Sequence, residues 1–284
     1  MAYGIANQTG VPSRSSTAVV IETAWESGVR FFDTAQAYGA SEGFLGEALR
    51  ALRVTNQACV ISKLHPALCP TDSGAVLRSV EESARRLGGP LWALLLHRAD
   101  WLGAWEQGLG DALGEAKRRG LVRYLGASVY TVEEVRSALA HSALEVVQVP
   151  ANAWDQRMLR EGVFQLVAEQ GKLCFVRSIF LQGLLSLPPE TVAARLPYAR
   201  GASERWEVLV RRFAVSREAL AVRCALALPV PIVVGMETAD QVRSNAGLFE
   251  LQPLSGAELD EVHAVMSGVL TERILNPSRW QEAA

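Results

Sequence analysis

The sequence predicts a parallel α/β barrel, and three observations carry that prediction. Short apolar runs rich in β-branched and aromatic residues alternate with longer amphipathic stretches, the pattern of strands buried on both faces and connected by helices. The runs end near residues 33, 63, 97, 127, 149, 177 and 235, so the chain advances in steps of 30, 34, 30, 22, 28 and 58. Three of them close on an ionisable side chain, Asp33, Lys63 and His97, which is costly inside a barrel but at home on the rim where strand C-termini gather.

The elements follow in order. A first helix sets Val20 and Ala24 four apart, with Ile21 and Trp25 beside them, and stops at Gly28. The run Val29–Asp33 comes next, then Ala58–Lys63. A helix marked by Val76, Val80 and Ala84 stops at Gly88 and leads into Trp92–His97. Leu109, Leu113 and Ala116 mark another, whose Lys117-Arg118-Arg119-Gly120 end suits the negative pole of the helix dipole. The runs Val122–Ser128, Val146–Val149, Leu173–Ser178 and Ile232–Gly235 complete the set. Thr131 with Glu134, Thr238 with Gln241 and Ser255 with Glu258 fit capping boxes that open later helices.

Seven strands are one short of a closed barrel. One repeat before residue 33 puts the missing first strand at or before residue 3, so either the barrel lacks it or Ala2–Ala6 and a neighbouring element stand in. A doubly wound open sheet is the rival, lowered by the absence of a Gly-x-Gly-x-x-Gly turn between strand and helix. The long connection before the last run contains the richest loop, from Pro188-Pro189 to Ser203, and no linker divides residues 1–284 into separate domains.

Composition narrows the function. Lys plus Arg number 28 against 30 Asp plus Glu, a net charge of −2, which argues against nucleic-acid binding or adsorption to an anionic membrane. No run is long enough to span a bilayer. The cysteines Cys59, Cys69, Cys174 and Cys224 lack metal-ligand spacing, so neither a metal site nor a disulfide framework is expected, and a cytoplasmic location is. The expected partner is a small molecule; nothing in the residues specifies an oligomeric state.

Singly, Asp33, Lys63 and His97 read as a turn cap, a strand exit and a hydrogen-bonded structural histidine. In phase with one repeat they meet at one mouth, and Tyr38 follows Asp33 by five residues. A phenol titrates near pH ~10, too high for an acid at neutrality. An ammonium beside it stabilises the phenolate, and a carboxylate holds that ammonium charged and oriented. Tyr38 is thus the candidate proton donor to an alkoxide, with Lys63 and Asp33 behind it and His97 orienting a carbonyl or relaying a proton.

The stretch Phe31-Phe32-Asp33-Thr34-Ala35-Gln36-Ala37-Tyr38-Gly39-Ala40-Ser41-Glu42, with Leu45-Gly46-Glu47-Ala48-Leu49, resembles the signature of the aldo-keto reductases. So do Ile61-Ser62-Lys63, Leu94–His97, Gly126-Ala127-Ser128, and Val147-Gln148 followed by Asn152, in the family's order, over about residues 3–245. The resemblance implies a (β/α)8 TIM barrel that lacks its first strand, and reversible hydride transfer between NADP(H) or NAD(H) and an aldehyde or ketone. Asp33, Tyr38, Lys63 and His97 match the family's tetrad. Because the cofactor would lie extended across the strand ends, the absent glycine-rich turn is explained.

By the same resemblance, Ser128 and Gln148 match positions that hydrogen-bond the carboxamide, although Val129 replaces the asparagine that often follows the serine. Arg177 stands where an aromatic platform for the nicotinamide is usual; it is either a guanidinium platform or a surface arginine. Ser178 and the turn from Gln182 resemble the segment over the pyrophosphate. Gly235, Glu237, Gln241 and Asn245 resemble the adenosine end, where Glu237 would repel a 2'-phosphate and Gln241 also has a capping role. Asn152, with Ala151 replacing the family's tyrosine, and Trp154 are candidate substrate-pocket residues. Two further readings stay open, a redox-silent or regulatory protein of the same fold, motivated by the missing strand, and a lyase or epimerase that uses Tyr38 and Lys63 without redox chemistry.

Overall fold

The computed structural model describes residues 10–280. Six strands, β1 (Phe31–Asp33), β2 (Cys59–Lys63), β3 (Leu91–Leu96), β4 (Val122–Ser128), β5 (Val146–Pro150) and β6 (Leu173–Arg177), form one parallel sheet in chain order. The register sets Asp33 beside Ile61, Lys63 beside Leu95 and Ser128 beside Gln148, which brings the strand ends to one rim. The sheet curls into a part-barrel: the Phe31 ring on β1 lies 5.8 Å from that of Phe175 on β6. Ile61, Ala93, Leu95 and Val146 fill the interior above them.

The seventh run is not the strand its sequence suggests. Ile232 makes a single parallel bridge to Val176, carried by Val233 N–H to Val176 O at 2.7 Å and Val176 N–H to Pro231 O at 2.9 Å. Pro229 and Pro231 supply no N–H on its approach, and among the described residues no strand flanks it on the far side, so the ladder ends after one step. The same gap leaves the outer edge of β1 unpaired among the described residues, and Phe31 is 45% exposed there. The possible stand-in at Ala2–Ala6 lies outside the described residues.

Helices cover the outside where the amphipathic stretches place them. α1 (Arg14–Glu26) is capped by the Ser13 side chain and left through Gly28 at φ +88°. α2 (Ser41–Ala51) crosses α3 (Ser73–Leu87) at Gly46, where a Cβ would stand 2.1 Å from the Arg86 carbonyl oxygen. α3 ends in a left-handed Gly88, and α4 (Leu109–Arg118) carries its cations in the last turn. α5 (Val132–Ala140) opens on the full Thr131–Glu134 capping box. The short α6 (Arg157–Arg160) and α7 (Val163–Glu169) lead into β6.

The long connection after β6 folds into helices of its own, α8 (Pro189–Arg195), α9 (Arg200–Phe213) and α10 (Arg217–Leu226), followed beyond the bridge by α11 (Ala239–Leu248), α12 (Gly256–Met266) and α13 (Glu272–Leu275). α8, α9, α10, α12 and α13 share a second apolar core, which includes Leu184, Trp206, Leu220, Val262 and Met266, beside the main core between sheet and helices. Trp206 is anchored there by its Nε1–H donating to Leu185 O at 3.0 Å.

Candidate active site

Each tetrad side chain lies at the end of a strand or on the loop that follows it. Asp33 closes β1 and Lys63 closes β2, and the Lys63 ammonium donates to both carboxylate oxygens at 2.7 and 2.6 Å and to Thr34 O at 3.1 Å. Lys63 is only 2% exposed. Burial pulls its pKa down from the usual lysine range, and the Asp33 carboxylate acts against that pull. Tyr38, on the loop after β1, presents its ring with the Lys63 nitrogen 5.7 Å from the centroid. His97, one residue past β3, meets the Tyr38 ring edge-on at 6.0 Å.

The His97 pKa is pushed down to about 4, first by burial and then by the Lys63 and Arg177 cations, so the imidazole is neutral at physiological pH. Its Nδ1 is buried without a hydrogen-bond partner.

Four residues to which the sequence assigns no role hold this geometry. Gln36 clamps the Tyr38 loop: its side-chain amide donates to Ser83 Oγ at 2.9 Å and Ser79 O at 3.1 Å, and accepts from His65 N–H at 2.8 Å. Beneath Lys63, Ser62 donates to the buried Glu42 at 2.7 Å, and Arg86 on α3 pairs with the other Glu42 oxygen at 3.0 Å. Glu42 shares helical spacing with Leu45 and Leu49, so the buried face of α2 includes a carboxylate that needs a partner; that signal was present in the sequence. For Gln36 no such signal exists, because its partners His65, Ser79 and Ser83 lie 29, 43 and 47 residues away.

The candidate cofactor residues divide into two groups. Gln148 is fully buried on β5 and reaches across the barrel, donating from Nε2 to Asp33 Oδ1 at 2.8 Å. Its Oε1 is buried without a partner. Ser128 sits beside it on β4, and Arg177 closes β6. Ser178, Leu181 and Gln182 all adopt positive φ (64°, 46° and 52°) before Gly183 at 83°, a costly run for non-glycine residues that the surrounding structure must enforce.

Gly235, Glu237, Gln241 and Asn245 lie farther off, around the start of α11. There Thr238 caps the helix, its Oγ1 accepting from Gln241 N–H at 3.2 Å, while the Gln241 side-chain oxygen accepts from Glu237 N–H at 2.6 Å and not from the N-cap backbone, so the expected capping box is only half made. Arg243 is ion-paired to Asp240 at 2.7 Å.

Asn152 and Trp154 take packing roles. The Asn152 amide donates to Ser178 O at 3.1 Å and accepts from the backbone of Trp154 and Asp155 at 2.9 Å. Trp154 is 3% exposed within the second core. Among the described residues no cluster of histidine, cysteine and acidic side chains is placed to hold a metal, and no helix is long and apolar enough to cross a membrane.

A model of the aldo/keto reductase family matches residues 1–267, nearly the whole chain. The chain belongs to that family. Its relatives include the pyridoxal 4-dehydrogenase of Microbacterium luteolum, 24% identical over 84% of each chain, and the D-threo-aldose 1-dehydrogenase of a Pseudomonas species, 26% identical over 93% of this chain and 94% of that one. Among solved structures, an aldo-keto reductase from Bacillus halodurans in its holo form superposes with a TM-score of 0.73 at 23% identity, covering 93% of this chain and 91% of that one. The likeness establishes the fold: this aldo-keto reductase is of the (β/α)8-barrel type, with six parallel strands among the described residues, and by family it is an oxidoreductase.

Aldo-keto reductases are generally NAD(P)H-dependent, and the residues at this rim fit such a group. A buried Gln148 oxygen that lacks a donor, with the Ser128 hydroxyl in register beside it, is what a carboxamide N–H would complete.

Proposed function

We propose that this chain interconverts an aldehyde or ketone with the corresponding alcohol by hydride transfer to and from a nicotinamide, with Tyr38 as the general acid. One observation carries the reading: a buried Asp33–Lys63 pair lies against the Tyr38 ring, with a neutral His97 on the ring's edge. The phenol hydroxyl gives its proton to the oxygen of the reduced carbonyl, and the Lys63 ammonium stabilises the phenolate left behind. Asp33 keeps that ammonium in place. His97, uncharged, donates to or accepts from the substrate oxygen without competing as an acid. When bound, the cofactor supplies the hydride; Ser128 and Gln148 would hold its carboxamide, the Ser178–Gln182 turn its pyrophosphate, and the Gly235–Asn245 segment its adenosine end.

At that adenosine end, Glu237 disfavours a 2'-phosphate, so the reading includes NAD(H) beside NADP(H) as the cofactor. The substrate is a small carbonyl or alcohol, as the names of the dehydrogenase relatives suggest, and a cytoplasmic location fits the four free cysteines. Titration of the purified chain with NADH and NADPH, followed by nicotinamide fluorescence, tests it. Binding of at least one of them in the micromolar range is expected; binding of neither leaves the redox-silent reading in its place.

A further inference from the structure

Among the described residues, Arg177 is a cation without a counter-ion at the rim where the tetrad meets. Its guanidinium reaches past β5, donating from Nη2 to Val129 O just beyond β4 at 3.3 Å and from Nη1 to Ser178 Oγ at 3.3 Å. It lies 4.3 Å from the centroid of the Tyr130 ring. All of these partners are neutral. Among the described residues no carboxylate pairs with it: Asp33 is taken by Lys63 and Gln148, and Glu134 by the backbone N–H groups of Tyr130 and Thr131.

We propose that Arg177 reads the charge of the nicotinamide ring, favouring the neutral reduced ring over the cationic oxidised one, so that the protein binds NADH or NADPH more tightly than NAD⁺ or NADP⁺. The proposal rests on the hydride-transfer reading above. Its physics is simple, because the two redox states of one cofactor share every phosphate and the adenosine, and differ at the ring by one positive charge. A fixed cation on a partly dry rim interacts with that charge more strongly than it would in water. The geometry sets it there: Arg177 donates to Val129 O, whose own N–H is bonded to Gln148 O, so the guanidinium lies beside the Ser128 and Gln148 pair, and its charge also acts, after burial and closer charges, against protonation of Lys63 and His97. By linkage, the same bias shifts the bound equilibrium from alcohol plus oxidised cofactor toward carbonyl, reduced cofactor and a released proton.

The test is equilibrium binding of NADH, NAD⁺, NADPH and NADP⁺ to the full chain, read by tryptophan quenching or calorimetry. For the preferred cofactor the reduced form is expected to bind about tenfold or more tightly than the oxidised form. Arg177→Met, which keeps the bulk and loses the charge, brings the ratio toward unity, and Arg177→Lys retains it. Arg177→Gln serves as a second charge-free variant if the methionine form fails to fold.

Equal binding of both redox states by the unaltered protein overturns the proposal while leaving the reductase reading intact. So does an equal loss of both states in Arg177→Met, which would make Arg177 an anchor for the cofactor phosphates. Absence of binding by all four nucleotides overturns the reductase reading itself, and this proposal with it.

Discussion

Tyr38 does its proposed work through one hydroxyl, so its removal separates chemistry from folding. Tyr38→Phe is expected to lower kcat by about 10²–10⁴-fold while leaving the affinity for reduced cofactor unchanged; steady-state rates with a reducible aldehyde, beside a binding titration, measure both. His97 makes a prediction of the opposite kind, about stability. Its folded-state pKa of about 4 lies below the unfolded value near ~6.5, so between those limits the unfolded chain binds more protons. Stability therefore rises with pH across that window and is lost as pH falls through it. His97→Gln should flatten this part of the acid limb relative to the unaltered protein in denaturation midpoints measured from neutral to acid pH. The four tetrad residues were legible because each ends a strand or follows one at a fixed offset. Gln36 was not, because its role is defined by Ser79, Ser83 and His65, which only the folded chain brings to it.

The rim stays in register only if the strands and helices approach closely, and glycine makes that possible at two places. A Cβ on Gly126 would fall 2.1 Å from Val146 O on the neighbouring strand and 2.6 Å from a Leu95 methyl. Gly126→Ala is therefore expected to cost at least about 1–3 kcal/mol, seen as a lower urea midpoint, because β4 and β5 must part to admit it. Ser128 and Gln148 lie at the end of that pair, so cofactor affinity should fall with stability. Helix boundaries were readable to within a residue or two wherever a cap announced itself, by a side chain at Thr131–Glu134 and Ser255–Glu258 and by a left-handed glycine at Gly88. The run Ile232–Gly235 misled for the converse reason. Its β-branched residues have the propensity, but Pro229 and Pro231 withhold backbone donors on its approach and, among the described residues, no strand pairs with its far side, so the pairing to β6 stops at one bridge.

Across the whole molecule, the part-barrel is buttressed by a second core that no repeat in the sequence foreshadows. The step of 58 residues announced an insertion but not its packing. Trp206 stands at the centre of that core at 1% exposure, and the loop carrying Asn152 ties it to the backbone of Ser178. Trp206→Ala should destabilise the protein by about 3–5 kcal/mol, measurable as a fall in Tm, and should loosen the positively twisted turn from Ser178 to Gln182. Increased cleavage within residues 178–230 under limited proteolysis would accompany it, whereas the β1–β5 face of the sheet should keep its protection.

Periodicity was enough to write down the alternation of strands and helices, the shared rim, and the carboxylate, ammonium and imidazole that gather on it. Those features follow from local spacing: a parallel barrel repeats one unit, and each unit ends its strand on the same side. Contacts between distant segments were beyond its reach, namely the clamp on Tyr38, the Gln148–Asp33 link across the barrel, the neutral company of Arg177, and the reduction of the seventh strand to a bridge. Each of these depends on which groups lack a partner once the chain has closed around them, and burial and pairing are properties of the assembled fold.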